Sequence, residues 1–129
     1  MSVRPRVVVS EFMAPEGVAR LEGVVDLVAD ATLVTDRARL LAAVADADAL
    51  IVRDRTQVDV ELLDAAPGLR CVGRLGVGTD NLDLAAMEAR GVTVHLATGA
   101  NAVSVAEHVI GALLFLSRPS FATSHRVIA

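Results

Sequence analysis

The stretch CVGRLGVGTDNLD, Cys71 to Asp83, runs an apolar strand into glycines at 73, 76 and 78 and ends on polar residues. Glycines at a strand's C-terminal edge let backbone N–H groups come close to a ligand, and concave sets of such groups bind anions. Two other loops of similar chemistry follow β-branched runs: Arg53-Asp54-Arg55-Thr56, and Ala97 to Asn101. If their strands are neighbours, the three loops share one sheet edge, the edge where ligands of open α/β sheets sit. Together they offer guanidinium groups at Arg53 and Arg74, hydroxyls at Thr56, Thr79 and Thr98, the amide of Asn101, and N–H groups from Leu75 to Thr79. That set suits a small anion such as a carboxylate. The same glycine spacing also fits an ordinary tight turn between strand and helix.

Other chemistries find less support. The glycines lack the third member of a dinucleotide loop, and no clear acidic residue follows at the expected distance. His95, His108 and His125 have no metal-ligand spacing with one another or with Cys71, so no metal site is expected. Glu107 and His108 are adjacent in a helical pattern, about 100° apart, and do not face each other. Ser104 lacks the sequence of a nucleophile elbow. Cys71 sits in an apolar run and reads as a small buried residue.

The elements that must position these groups follow from patterning. Short β-branched runs alternate with helical stretches: strands over 6–10, 24–28, 49–52, 69–73 and 92–96. Pro15 opens the first helix and Gly23 ends it. Thr35-Asp36 caps the second, Asp59 caps a helix over 60–66, and Asp80 or Asn81 opens one that stops at Gly91. Such alternation implies a flavodoxin-like α/β fold: a parallel sheet of order 2-1-3-4-5, right-handed crossovers and helices on both faces. Asn101 to Arg118 then forms one long helix ended by Pro119, apolar nearly all round in its last turns. Such a helix needs a second domain or a second subunit to cover it, and a homodimer through residues 101–118 is expected.

With 129 residues, a net charge of −4, one cysteine and few aromatics, the chain fits a single small domain. It has neither the basic patch nor the stacking platform of a nucleic-acid binder. No run is long enough to span a bilayer and the N-terminus lacks a secretory pattern, so a cytoplasmic protein without membrane contact is expected.

The segments LIVRDRTQV, AAPGLRCVGRLGVGTDNLDLAAMEARGV and TGANAVSVAEHVIGALLFLSR resemble the N-terminal part of the NAD-dependent D-2-hydroxyacid dehydrogenases of the phosphoglycerate dehydrogenase type. The resemblance runs from about Asp48 to Arg118. It implies a substrate-binding domain over 1–100, closed in that family by a helix from the far C-terminus. Residues 101–129 would be a crossover into a cofactor domain that binds NAD and carries the catalytic residues, none of which is expected here. It further implies that N–H groups around Gly76, Val77 and Gly78 hold the substrate carboxylate and that Arg53 and Arg74 contact its distal group. Asn101 would lie near substrate and nicotinamide, while Glu107-His108 matches a structural signature. The partner implied is a small anionic 2-hydroxy or 2-keto acid. Asp54 stands where the family often has serine, and VHLATGAN lacks the frequent Asn-x-Pro turn, so a sulfonated or dicarboxylic acid fits as well as a phosphorylated one. The alternative is a stand-alone binding or dimerisation module of the same fold.

Overall fold

The structure, a computed structural model, describes residues 4–117. Arg118, Pro119 and His125 lie outside the described residues. The chain divides between Ala97 and Thr98 into two compact units.

The first unit is built on five strands: β1 (Arg6–Val9), β2 (Asp26–Ala29), β3 (Ala49–Val52), β4 (Cys71–Arg74) and β5 (Thr93–Leu96). All pair in parallel in the order β2-β1-β3-β4-β5, the order that the alternating pattern implies. The helices α1 (Pro15–Leu21), α2 (Arg37–Val44), α3 (Val60–Ala65) and α4 (Leu84–Ala89) supply the crossovers, with a 3-10 turn at Ala31–Thr35 before α2.

Aspartates start most of these helices. Asp36 accepts the N–H of Arg39, Asp59 that of Leu62, Asp83 that of Ala86, and Asp30 caps the 3-10 turn through Thr32. Each such cap contributes ~1 kcal/mol. Gly91, at φ +68°, closes α4 with a backbone conformation that a Cβ would strain.

Strand alternation decides which face is core. Val8, Leu50, Val52 and Val72 pack with Leu40, Val44, Leu62, Leu63 and Met87 from α2, α3 and α4, which lie side by side. Burying each of these large side chains contributes roughly 1.5–3 kcal/mol. The register row Val7, Ala49, Cys71 and Thr93 lies on the opposite face. Right-handed crossovers place α1 there, because the chain turns back only between β1 and β2.

Several sequence expectations need correction. The second strand starts at Asp26, not Val24, because the N–H groups of Val24 and Val25 still bond to Leu21 O in the turn that leaves α1. Asp83, not Asp80 or Asn81, caps α4: Leu82 N bonds Thr79 O and Asp83 N bonds Val58 O, so the chain is still in a pinned turn at 80–82. Cys71 is half-buried instead of in the core, since the pleat gives that place to Val72. The 3-10 turn has no counterpart in the sequence reading.

The second unit holds α5 (Ala102–Ser117). Asn101 precedes it and its carbonyl accepts the N–H of Val105. None of the helix is buried, and Val103, Ile110, Leu113 and Leu116 are all more than half exposed. Ser104, Glu107 and His108 are exposed on it as well. No helix among the described residues is long and apolar enough to cross a membrane.

Candidate functional site

The chemistry collects where β1, β3 and β4 end. Val52 is in register with Arg74, so Arg53 leaves its strand beside the glycine loop that follows β4. Asn81 spans the two: its Nδ2 donates to Thr56 O at 2.8 Å and to Arg53 O at 3.4 Å, and its Oδ1 accepts from Arg74 Nε at 3.4 Å. The amide is buried. The third loop joins at its start, where Ala97 N donates to Arg74 O and Gly76 O.

Arg74 accounts for the glycines. Neither Gly76 nor Gly78 has a positive φ, so close approach is what favours glycine there. A Cβ on Gly76 would stand 2.0 Å from Arg74 Nη1, and one on Gly78 3.4 Å from Nη2. The guanidinium therefore lies along the loop. Within it, Gly76 N–H is spent on Arg74 O, whereas the N–H groups of Val77 and Gly78 have no protein partner among the described residues. The predicted cradle is thus narrower than Gly76 to Gly78 by one donor.

The edge carries as many carboxylates, Glu11, Asp54 and Asp80, as arginines, Arg53, Arg55 and Arg74. Arg6, Arg37, Arg39 and Arg90 are each paired with a carboxylate. Arg53, Arg55 and Arg74, like Arg4, Arg20 and Arg70 elsewhere, have no ion pair among the described residues, and Arg53 and Arg55 are exposed. Asp54, also exposed, stands between the two. Two cavities border Arg53: one of about 300 Å³ with Phe12, Met13 and Leu75, and one of about 380 Å³ with Glu11, Asp54 and Arg55. Guanidinium groups beside unpaired loop N–H groups are the chemistry by which proteins recognise anions.

Thr56 does not offer its hydroxyl to that site. It is 3% exposed and its Oγ1 is 2.9 Å from Ser10 Oγ. The hydroxyl that the sequence marks as a ligand contact belongs to the scaffold. Asn101 and Thr98 lie in the second unit, Asn101 exposed at the start of α5.

Two residues that hold the site together are missing from the sequence reading, Asn81 as a bridge and Glu11. Glu11 Oε1 accepts the N–H groups of Arg53 and Thr56, each at 2.9 Å, and Oε2 accepts that of Arg55 at 3.2 Å. Burial alone would push this carboxyl up. The hydrogen bonds from Thr56, Arg53 and Arg55 outweigh burial and hold it below its ordinary value. The unfolded chain therefore binds the proton first on acidification, so the contribution is complete above pH ~4.3 and is lost as pH falls through the lower folded value. Thermal melts from pH 7 to 3 should show a shallower acid slope in Glu11→Gln than in the unsubstituted chain. Parallel slopes would refute the assignment.

A larger concavity, about 560 Å³, lies on the other row of the sheet, lined by Val7, Ala49, Cys71, Thr93 and His95. It faces away from the strand ends and their loop N–H groups, so its size does not make it the ligand site. Among the described residues no group of three or more His, Cys, Asp or Glu could hold a metal.

Comparison with known proteins agrees with this fold. The pattern of the D-isomer specific 2-hydroxyacid dehydrogenase catalytic domain matches residues 7–127. Over 123 residues the chain is 51% identical to an (S)-sulfolactate dehydrogenase of Chromohalobacter salexigens, covering 95% of this chain and 40% of that one. It is 48% identical over 115 residues to a D-3-phosphoglycerate dehydrogenase of Mycobacterium tuberculosis, covering 88% and 21%. Among solved structures, a 2-hydroxyacid dehydrogenase of Ketogulonicigenium vulgare superposes with a TM-score of 0.78 at 25% identity, covering 98% of this chain and 40% of that one. An NADPH-dependent glyoxylate/hydroxypyruvate reductase of Sinorhizobium meliloti, in complex with NADP and malonate, gives 0.72 at 31%, covering 87% and 34%. The chain thus spans two fifths or less of these relatives.

Proposed function

Because the chain belongs to the D-isomer specific 2-hydroxyacid dehydrogenase family, we propose that it is the substrate-binding half of an oxidoreductase that moves a hydride between NAD and a small anionic D-2-hydroxy acid. The observation that carries this reading is the set of unpaired arginines beside the Val77 and Gly78 N–H groups. In it those two N–H groups hold the substrate carboxylate, and Gly76 leaves room for the Arg74 guanidinium beside them. Arg53 and Arg74 take a second anionic group at the distal end. Thr56 supports the loop from beneath.

The described residues do not fit a dinucleotide. The glycine loop carries the Arg74 side chain where a pyrophosphate would rest, and α4 begins only at Leu84, behind a pinned turn. NAD is therefore assigned mainly to a part of the protein that this chain does not include, as the greater length of its relatives supports. In this reading residues 1–100 are the substrate domain and 101–129 the crossover helix and start of the connection. A closing segment from farther along the protein covers the concavity at Cys71 and His95, and the exposed apolar side of α5 meets a second copy in a cytoplasmic homodimer.

For the substrate, the carboxylate of Asp54 between Arg53 and Arg55 opposes a doubly charged phosphate more than a singly charged sulfonate. The relative named for sulfolactate agrees with that order. The test is a panel of 2-hydroxy acids offered with NAD to the full-length protein, read by NADH absorbance. The expected result is kcat/KM for 3-sulfolactate at least ~10-fold above that for 3-phosphoglycerate, a difference of about 1.4 kcal/mol, and no turnover by the 129-residue chain alone. Absence of NADH formation with every acid would overturn the reading.

A further inference from the structure

We propose that Glu11 is a positioning residue: its buried carboxylate fixes the backbone of the Arg53–Thr56 loop so that the Arg53 and Arg55 guanidiniums are presented to an anion. The proposal goes beyond the reading above, because it assigns a role to a residue which that reading leaves unused.

The loop's polar groups divide in an ordered way. Three of its four N–H groups, those of Arg53, Arg55 and Thr56, point inward to one carboxylate. Two of its carbonyls, those of Arg53 and Thr56, point to the amide of Asn81. With donors and acceptors both satisfied inside, the loop backbone cannot turn over without leaving buried groups unpaired. The arginine side chains are left on the outer surface, and both are exposed.

A carboxylate so near two arginines would be expected to take them as ion-pair partners. It takes neither, since its oxygens are occupied by N–H groups and no contact within 4.0 Å joins Glu11 to either guanidinium among the described residues. Glu11 is 6% exposed, so little of its charge faces solvent. The effect is to spend a negative charge on backbone dipoles while leaving two positive charges for an external ligand. A neutral side chain could not do this as well, because hydrogen bonds to a charged acceptor are about twice as strong as neutral ones. In glutamine the amide nitrogen would present hydrogens to one of the N–H donors.

Hydrogen exchange and an anion titration test this on the full-length protein and its Glu11→Gln variant, with inorganic sulfate as the probe. In the unsubstituted chain the amides of Arg53, Arg55 and Thr56 should be protected, and that of Asp54, which has no partner among the described residues, should exchange fast. Glu11→Gln should speed exchange at the three amides by at least ~10-fold, about 1.4 kcal/mol, and weaken sulfate binding, read from the Arg53 and Arg55 resonances, by a similar factor. A merely structural glutamate would lower the melting temperature and leave sulfate affinity unmoved, which would overturn the proposal. So would unprotected loop amides in the unsubstituted chain, a result that needs no folded variant. These readouts involve neither NAD nor turnover, so failure of the dehydrogenase reading would appear in the acid panel while the exchange data stood.

Discussion

Arg74→Ala in the full-length enzyme should raise KM for the anionic acid by ~100-fold, with the fold unaffected. The size follows from the interaction at stake: a hydrogen bond to a charged group contributes ~1.5–3 kcal/mol, which is one to two powers of ten in affinity. The fold should survive because Arg74 is half-buried and, among the described residues, its one side-chain hydrogen-bond partner is Asn81, at 3.4 Å. Arg74→Lys should recover little of the loss, since an ammonium cannot reproduce the planar fork of donors that a carboxylate or sulfonate accepts. A second variant separates charge from geometry. In Gly76→Ala the new methyl would collide with Arg74 Nη1, and the guanidinium must swing off the loop. That variant keeps the charge and should still lose much of the affinity. Unchanged KM in both would remove Arg74 from the site.

The ease with which the fold could be read, and the difficulty of reading the site, have one physical origin. The elements announce themselves locally: Asp36, Asp59 and Gly91 punctuate the chain within a few residues of the helices they start or stop, and β-branched runs identify strands. Local signals fail where a neighbouring element overrides them. Val24 and Val25 look like the start of a strand, but the turn after α1, with Gly23 at φ +79°, still holds their N–H groups. Asp80 and Asn81 look like caps, but the chain there is bridged to Val58 and the Asn81 side chain is committed to another loop.

The site depends on contacts that no local pattern announces. Glu11 meets its partners 42 to 45 residues away, and it follows β1 as any solvated glutamate could. Thr56 carries a hydroxyl at a strand end, which reads as a ligand group until its burial against Ser10 is seen. Arg53 and Arg74 could be named because one follows a strand and the other ends one, and parallel neighbours bring those ends together. Strand ends thus offer candidates that a sequence can name, whereas the long-range contacts that hold their loops, those of Glu11 and Asn81, leave no local sign.

Asn81→Ala tests that division from the other side, and should be among the most damaging substitutions outside the apolar core. It removes the donor to Thr56 O and Arg53 O and leaves buried carbonyls without a partner, at a cost of about 1–3 kcal/mol in addition to the lost hydrogen bonds. A loss of roughly 3 kcal/mol in urea denaturation is expected. It should also raise KM, because Arg74 Nε loses its acceptor and the Arg53 loop its outer tether. The two effects can be separated by a cycle with Arg74→Ala. If Asn81 acts on ligand through Arg74, its effect on KM should shrink in the Arg74→Ala background while its effect on stability stays whole. Asn81→Asp makes the distinction sharper: one carboxylate oxygen still accepts from Arg74, but the other faces two carbonyl oxygens and cannot donate. Stability should then fall at neutral pH at least as far as in the alanine variant, with KM held closer to its original value. Equal KM in the aspartate and alanine variants would mean that Asn81 serves the loop backbone alone, and that Arg74 is oriented by the glycines beside it.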